Sequence, residues 1–199
     1  MRRIIVFESV TLDGVMQAPG RRDEDTRGGF THGGWAAPYA DEVIVSLASE
    51  GQSRTDGILL GRRTYEDFFG FWPHQGDNPF TKALAVTQKL VVSTTLREPL
   101  EWENSTLLPD VAAVARAKEG PGGDIVLLGS GDLARSLARR GLVDGYVLLI
   151  HPLVLGSGQR LFEPGLPTSA LELTDTRTST TGVIIATYGV RSADTGQDR

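Results

Sequence analysis

Two turns in this chain have the residues to hold phosphate. Gly61-Arg62-Arg63-Thr64 follows the apolar run Ile58-Leu59-Leu60, and Gly129-Ser130-Gly131-Asp132-Leu133 follows Ile125-Val126-Leu127-Leu128. Each run reads as a short strand that is apolar on both faces, as central strands of parallel sheets are. Each glycine stands where that strand turns into a helical pattern, and a residue without Cβ lets backbone N–H groups approach a ligand closely. The free N–H groups of a helix start attract anions by ~0.3–1 kcal/mol per interaction. Two such turns in one small domain point to a ligand with phosphates at two places, and a dinucleotide is the first reading. The guanidinium forks of Arg62 and Arg63 suit phosphate. Surface arginines at a helix start with Thr64 as cap would fit the same letters. Gly129-Ser130-Gly131 equally fits a tight turn without a ligand. Asp132 would repel a nearby pyrophosphate unless it caps its own helix and points outward.

A third candidate is Asp13, in Leu12-Asp13-Gly14 at the carboxyl end of the first strand. Ligands of open α/β sheets gather at that edge. Asp13 is therefore read as a carboxylate that orients substrate or relays a proton, with an Asp-Gly turn as the alternative. Asp41 and Glu42 fall in the first turn of a helix, where acids are favourable electrostatically. Trp35, Trp72 and Tyr65 are aromatics that either pack or offer a stacking surface.

The elements that must position these residues follow from periodicity. Strands are predicted at 3–10, 57–60, 89–93, 106–108, 125–128 and 146–150, with two late strands at about 170–176 and 183–190. Helices are predicted at 38–50, 64–69, 110–119 and 133–140, and 71–79 reads as loop. Alternation of strand and helix, followed by strands alone, defines an α/β fold: three layers, a mostly parallel central sheet and an antiparallel C-terminal edge. The glycine-rich stretch 11–35 is long for a connection inside a compact domain, so it reads as a functional lid. One domain is expected over 1–190, with a flexible tail over 191–199.

Composition excludes several classes. A net charge of −5 argues against a general nucleic-acid or anionic-membrane surface. With no cysteine, disulfides and thiolate chemistry are absent, and His32, His74 and His151 lie too far apart for ligand spacing, so no metal site is expected. No apolar run is long enough to span a bilayer. A cytoplasmic enzyme or binding protein with a small-molecule ligand is the expectation.

At these motifs the chain resembles the dihydrofolate-reductase-like superfamily, in particular the stand-alone branch related to the reductase domain of riboflavin biosynthesis. The matching pieces are Thr11-Leu12-Asp13-Gly14, Leu60 to Glu66, Trp72-Pro73, Lys89 to Ser93, Gly129 to Leu133, Gly141 to Asp144 and His151 to Gly158. The resemblance implies NADPH as cofactor and hydride transfer as reaction. It assigns Gly61, Arg62, Arg63, Thr64, Ser93 and Thr94 to the adenosine 2′-phosphate. Gly129, Ser130, Gly131, Asp132 and Leu133 go to the pyrophosphate, and Leu12 to Gly14 to the nicotinamide. Asp41 or Glu42 would stand where dihydrofolate reductase keeps its substrate carboxylate, and Trp35 is grouped with them as a substrate residue. A homodimer is expected, with 152–190 as its interface.

The match is mixed. Gly-Arg-Arg-Thr-Tyr-Glu follows dihydrofolate reductase, whereas Leu-Asp-Gly follows the riboflavin branch. The expected activity is NADPH-dependent reduction of a C=N or C=O carbon in a small heterocycle. A phosphoribosylamino-pyrimidine is the first substrate class and a pterin the alternative. A non-catalytic NADPH-binding sensor is the rival of another kind.

Overall fold

The computed structural model describes residues 1–191 apart from Ser53 and Asp77. Eight strands form one sheet. In chain order they are β1 (Ile4–Thr11), β2 (Thr55–Gly61), β3 (Gln88–Val92), β4 (Ser105–Leu108), β5 (Asp124–Leu128), β6 (Gly145–His151), β7 (Leu171–Thr178) and β8 (Ile184–Val190). The helices are α1 (Glu42–Gln52), α2 (Arg62–Phe71), α3 (Pro79–Val86), α4 (Val111–Glu119) and α5 (Gly131–Ala138). The spatial order is β4-β3-β2-β5-β1-β6-β8-β7. Strands β1 to β6 run parallel, and β8 and β7 close the edge antiparallel.

The order of the strands creates the site. From β1 the chain steps over a gap to β2 and moves outward through β3 and β4. It then returns to fill the gap with β5 and crosses to β6. The winding direction thus changes between β1 and β2, and such a switch point opens a crevice beyond the carboxyl ends of the strands.

Alternation along β1 divides the core. Ile4, Val6 and Val10 meet Ile125, Leu127, Val114, Leu133 and Leu137 on the face covered by α4 and α5. Phe7 points the other way, towards Val43, Ile44 and Leu47 of α1. On β2, Ile58 and Leu60 pack with Tyr65, Leu84 and Trp102. Each fully buried aliphatic or aromatic side chain contributes roughly 1.5–3 kcal/mol by leaving water. These contacts make the three layers of the predicted α/β fold.

The element boundaries differ from periodicity in telling ways. Helix α3 was not legible as a helix. It begins on an Asn-Pro pair in which the Asn78 side chain accepts from the Thr81 N–H at 2.9 Å. Helix α1 starts at Glu42 rather than at Pro38, because Pro38 belongs to a short 3-10 turn (Ala37–Tyr39). Helices α2 and α5 each start two residues earlier than periodicity predicts, so their first turns reach the glycine turns. Of the tail expected at 191–199, Arg191 donates to the Ala170 carbonyl at 2.9 Å, and the rest lies outside the described residues.

Candidate functional site

A cleft of about 1010 Å³ opens over the carboxyl ends of β1, β2, β3 and β5. Its walls include Gly61 to Thr64, Ser93, Thr94 and Gly129 to Leu133, so the two glycine turns and the serine turn converge on one space. Neither α2 nor α5 carries a side-chain cap on its first turn. Gly61, in extended conformation, is the residue before α2, and Ser130, at φ 60, is the residue before α5. Uncapped first turns leave N–H donors for an anion. The residues therefore fit a phosphate-bearing ligand.

One hydroxyl joins the two turns. The Gly61 N–H donates to Ser130 Oγ at 2.9 Å, and Ser130 Oγ lies 2.9 Å from Thr64 Oγ1. Gly129 has φ +56, and a Cβ there would stand 3.1 Å from Thr64 Cγ2, so both its backbone and its neighbour favour glycine. At Gly131 a Cβ would lie 2.6 Å from Met16 Sδ.

The arginines surround the acid that sequence alone left ambiguous. Asp132 is inside the first turn of α5 rather than its cap. Its carboxylate meets Arg135 at 2.5 Å, Arg63 at 3.6 Å and Arg27 at 3.9 Å. Three guanidinium groups thus offset its charge at the cleft. Arg62 is paired with Glu66 at 2.8 Å on the same helix. The Ser93 hydroxyl accepts from the Thr95 and Leu96 N–H groups at 3.1 and 3.0 Å, which shapes the turn beside Thr94.

Six predicted residues are not brought to the cleft. Leu12, Asp13 and Gly14 do not line it; Met16, Gln17 and Ala18, just beyond them, do. The Asp13 carboxylate accepts from the Thr11 hydroxyl at 2.6 Å, the Leu155 N–H at 3.2 Å and the Gly156 N–H at 2.9 Å. Arg160 adds a contact at 3.4 Å. The Thr11 hydroxyl, joined by the Leu155 and Gly156 amides, draws its pKa down to about 2, which unsuits it for proton transfer near neutrality. Asp41 caps α1, accepting from the Ile44 N–H at 2.9 Å, and its other oxygen takes the Thr180 N–H at 2.6 Å and hydroxyl at 2.8 Å. Glu42 is exposed on the first turn of α1. Trp35 is buried with Val15, Ala18 and Phe30, its Nε1–H donating to the Gln17 carbonyl at 2.7 Å. In this arrangement Asp13, Asp41 and Trp35 fasten the loop and the C-terminal segments to the sheet, away from the cleft lining.

The structure also supplies residues that sequence reasoning missed. Gln17 bridges the loop, donating to the Arg27 carbonyl at 3.0 Å and accepting from the Gln159 N–H at 3.0 Å. Arg21 is ion-paired with Asp67 of α2, drawing the glycine-rich loop across the cleft, and stacks over Phe71 at 4.1 Å. Glu8 of β1 lines the cleft although it is 3% exposed. A lone charged residue in β1, whose other residues are apolar apart from Ser9 and Thr11, was the signal available for it.

A cleft at the switch point of a mostly parallel sheet, with two uncapped helix starts and arginines on its rim, belongs to an α/β protein of the dihydrofolate-reductase-like fold. The chain belongs to the RibD C-terminal domain family, whose profile matches residues 2–185, and this is a reductase-type family. It is 31% identical over 195 residues to the uncharacterized protein YyaP of Bacillus subtilis (strain 168), covering 94% of each chain. Among solved structures it resembles a putative riboflavin biosynthesis protein from Shewanella sp. PV-4, with TM-score 0.65, 20% identity and coverage of 96% and 99%. A pyrimidine reductase-like protein from Corynebacterium diphtheriae aligns with TM-score 0.65, 14% identity and coverage of 96% and 92%. Dihydrofolate reductase from Enterococcus faecalis, complexed with NADP(H) and RAB-propyl, aligns with TM-score 0.59, 12% identity and coverage of 96% and 97%. No helix among the described residues is long and apolar enough to cross a membrane.

Proposed function

We propose that the protein is an NADPH-dependent reductase acting on a C=N or C=O carbon of a small heterocyclic substrate. The carrying observation is the convergence of two uncapped helix starts, tied together through Ser130, on one cleft rimmed by Arg62 and Arg63. The α5 turn takes the pyrophosphate on its N–H groups, with the Asp132 charge held by Arg135, Arg63 and Arg27. Arg62, Arg63 and Thr94 take the 2′-phosphate at the β2 and β3 end. The remaining end, at Phe7, Ser9, Met16 and Gln17 of β1 and its loop, receives the nicotinamide. When bound, the reduced nicotinamide supplies the hydride.

The chain's own work is positioning and exclusion of water. Phe68 and Phe80 offer apolar surface to a flat ring, and the Arg21–Asp67 pair closes the loop over it. Of the substrate classes, a phosphoribosylamino-pyrimidine is favoured by membership in the RibD C-terminal domain family. Asp13, Asp41 and Trp35 act as fasteners, so no catalytic step is assigned to them. We also propose a homodimer through the β8–β7 edge, where Leu173 of β7 and Ile184 of β8 are half exposed; light scattering that gives a monomer at micromolar concentration would remove it. Titration with NADPH and NADH tests the cofactor assignment: NADPH is expected to bind more tightly, and equal affinities would overturn the 2′-phosphate site.

A further inference from the structure

Glu8 sits where an acid is costly. The stagger of β1 sends Val6, Glu8 and Val10 to one face, and both valines belong to the main core. Glu8 is 3% exposed, and its Oε1 has no hydrogen-bond partner among the described residues. An ionised carboxylate buried without a full set of partners costs several kcal/mol, so the group takes up a proton instead. Burial drives its pKa well above the usual carboxylate range; the Glu24 charge adds to the rise and Arg135 opposes it. The strands beside it contribute no charge, since Glu8 faces Leu148 of β6 and the β5 residues nearby are Leu127 and Leu128. Arg135 is already occupied, meeting Asp132 at 2.5 Å, the Arg160 carbonyl at 2.7 Å and Glu163 at 3.3 Å. Packing alone does not account for Glu8, because an aliphatic residue would fill this core position without an orphaned oxygen. The position does have one outlet: Glu8 lines the cleft at the β1 end, beside Met16.

We propose that Glu8 is the proton donor of the reduction, neutral while the reduced cofactor is bound and ionised opposite the oxidised one. This rests on the reductase reading above. The step balances. A hydride from the reduced nicotinamide bonds to the carbon of C=N or C=O, and the π pair moves to the nitrogen or oxygen. The Glu8 O–H bond breaks, and its proton goes to that nitrogen or oxygen. The products are CH–NH or CH–OH, a cationic nicotinamide and a Glu8 carboxylate, which regains its proton from water after the oxidised nucleotide leaves. The carboxylate forms at the moment a positive ring stands near it, which offsets its burial.

That coupling can be read without a substrate. Calorimetric titrations near neutral pH, repeated in buffers of different ionisation enthalpy, give the protons released on binding. With the wild-type protein, NADP+ is expected to release close to one proton and NADPH close to none. Glu8→Gln, nearly the same shape and not ionisable, should bind both nucleotides and abolish the difference. Equal proton release for NADP+ and NADPH in the wild-type protein would overturn the role of Glu8 while leaving the cofactor reading intact, and it needs no variant. A difference that survives in Glu8→Gln would assign the proton to another group and also overturn it. Failure of both nucleotides to bind would overturn the reductase reading itself, and the proton-donor role with it. Once a substrate is found, Glu8→Gln should slow hydride transfer roughly 10²–10⁴-fold.

Discussion

The Gly61 N–H donates to the Ser130 hydroxyl at 2.9 Å, across 69 residues of sequence. The two glycine turns follow paired neighbouring strands, β2 and β5, and this single oxygen links the starts of α2 and α5 beyond the end of that ladder. Ser130→Ala removes that oxygen and leaves the part-buried Gly61 N–H without its acceptor. An unsatisfied buried donor costs about 1–3 kcal/mol. Stability by urea unfolding should fall by that amount, and affinity for NADPH and NADH should fall together, because the pyrophosphate cradle is common to both. Unchanged stability and unchanged titration curves would dissolve the link between the turns.

Asp13 provides a test in acid. The Thr11 hydroxyl and the Leu155 and Gly156 N–H groups hold its pKa at about 2 in the folded protein, against about 3.9 in an unfolded chain. A carboxylate with a lowered folded pKa stabilises fully above the unfolded value, and that contribution fades as pH falls towards 2. Asp13→Asn should therefore lose about 1–3 kcal/mol near neutral pH and progressively less below pH 4. Nucleotide affinity should stay within about twofold, since Asp13 does not line the cleft. A variant with normal stability and impaired binding would return Asp13 to the site.

Glu8 shifts stability the other way. Its folded pKa is raised, so the native state holds a proton that the unfolded chain gives up above about pH 4.3. Stability on this account is fully present below that value and declines as pH rises towards the folded pKa. Glu8→Gln should flatten this decline, and the variant should be more stable than the wild type above neutral pH. Thermal melts from pH 4 to pH 9 check it; parallel pH profiles for the two proteins would contradict a neutral Glu8.

What was legible in the sequence and what was not divide along a physical line. The central strands announced themselves because burial on both faces leaves only apolar residues, as in Ile125-Val126-Leu127-Leu128. The glycine turns were legible because few other residues fit their backbone or their neighbours, as Gly129 against Thr64 shows. Helix α3 was hidden by Trp72-Pro73 and Gly76, whose turn chemistry read on into Asn78-Pro79 as more loop. The contacts of Asp13 were not legible, because its partners Leu155 and Gly156 lie more than 140 residues downstream and local spacing could not reveal them. Gln17 and Arg135 act through Gln159 and the Arg160 carbonyl in the same way. Glu8 needed the sheet order and the face of β1 before its isolation meant anything.

The cleft is proposed to hold NADPH, with its 2′-phosphate at Arg62 and Arg63. The most direct measurement is a pair of binding titrations, NADPH and NADH, on the wild-type protein and on the Arg62→Ala, Arg63→Ala double variant. Charge-assisted hydrogen bonds to phosphate contribute about 1.5–3 kcal/mol in favourable geometry, and partial exposure of both arginines reduces this. NADPH should bind the wild type about tenfold or more tightly than NADH, and the double variant should lose that preference with NADH affinity nearly unchanged. Equal losses for the two nucleotides, or a preference that persists without the arginines, would contradict the account.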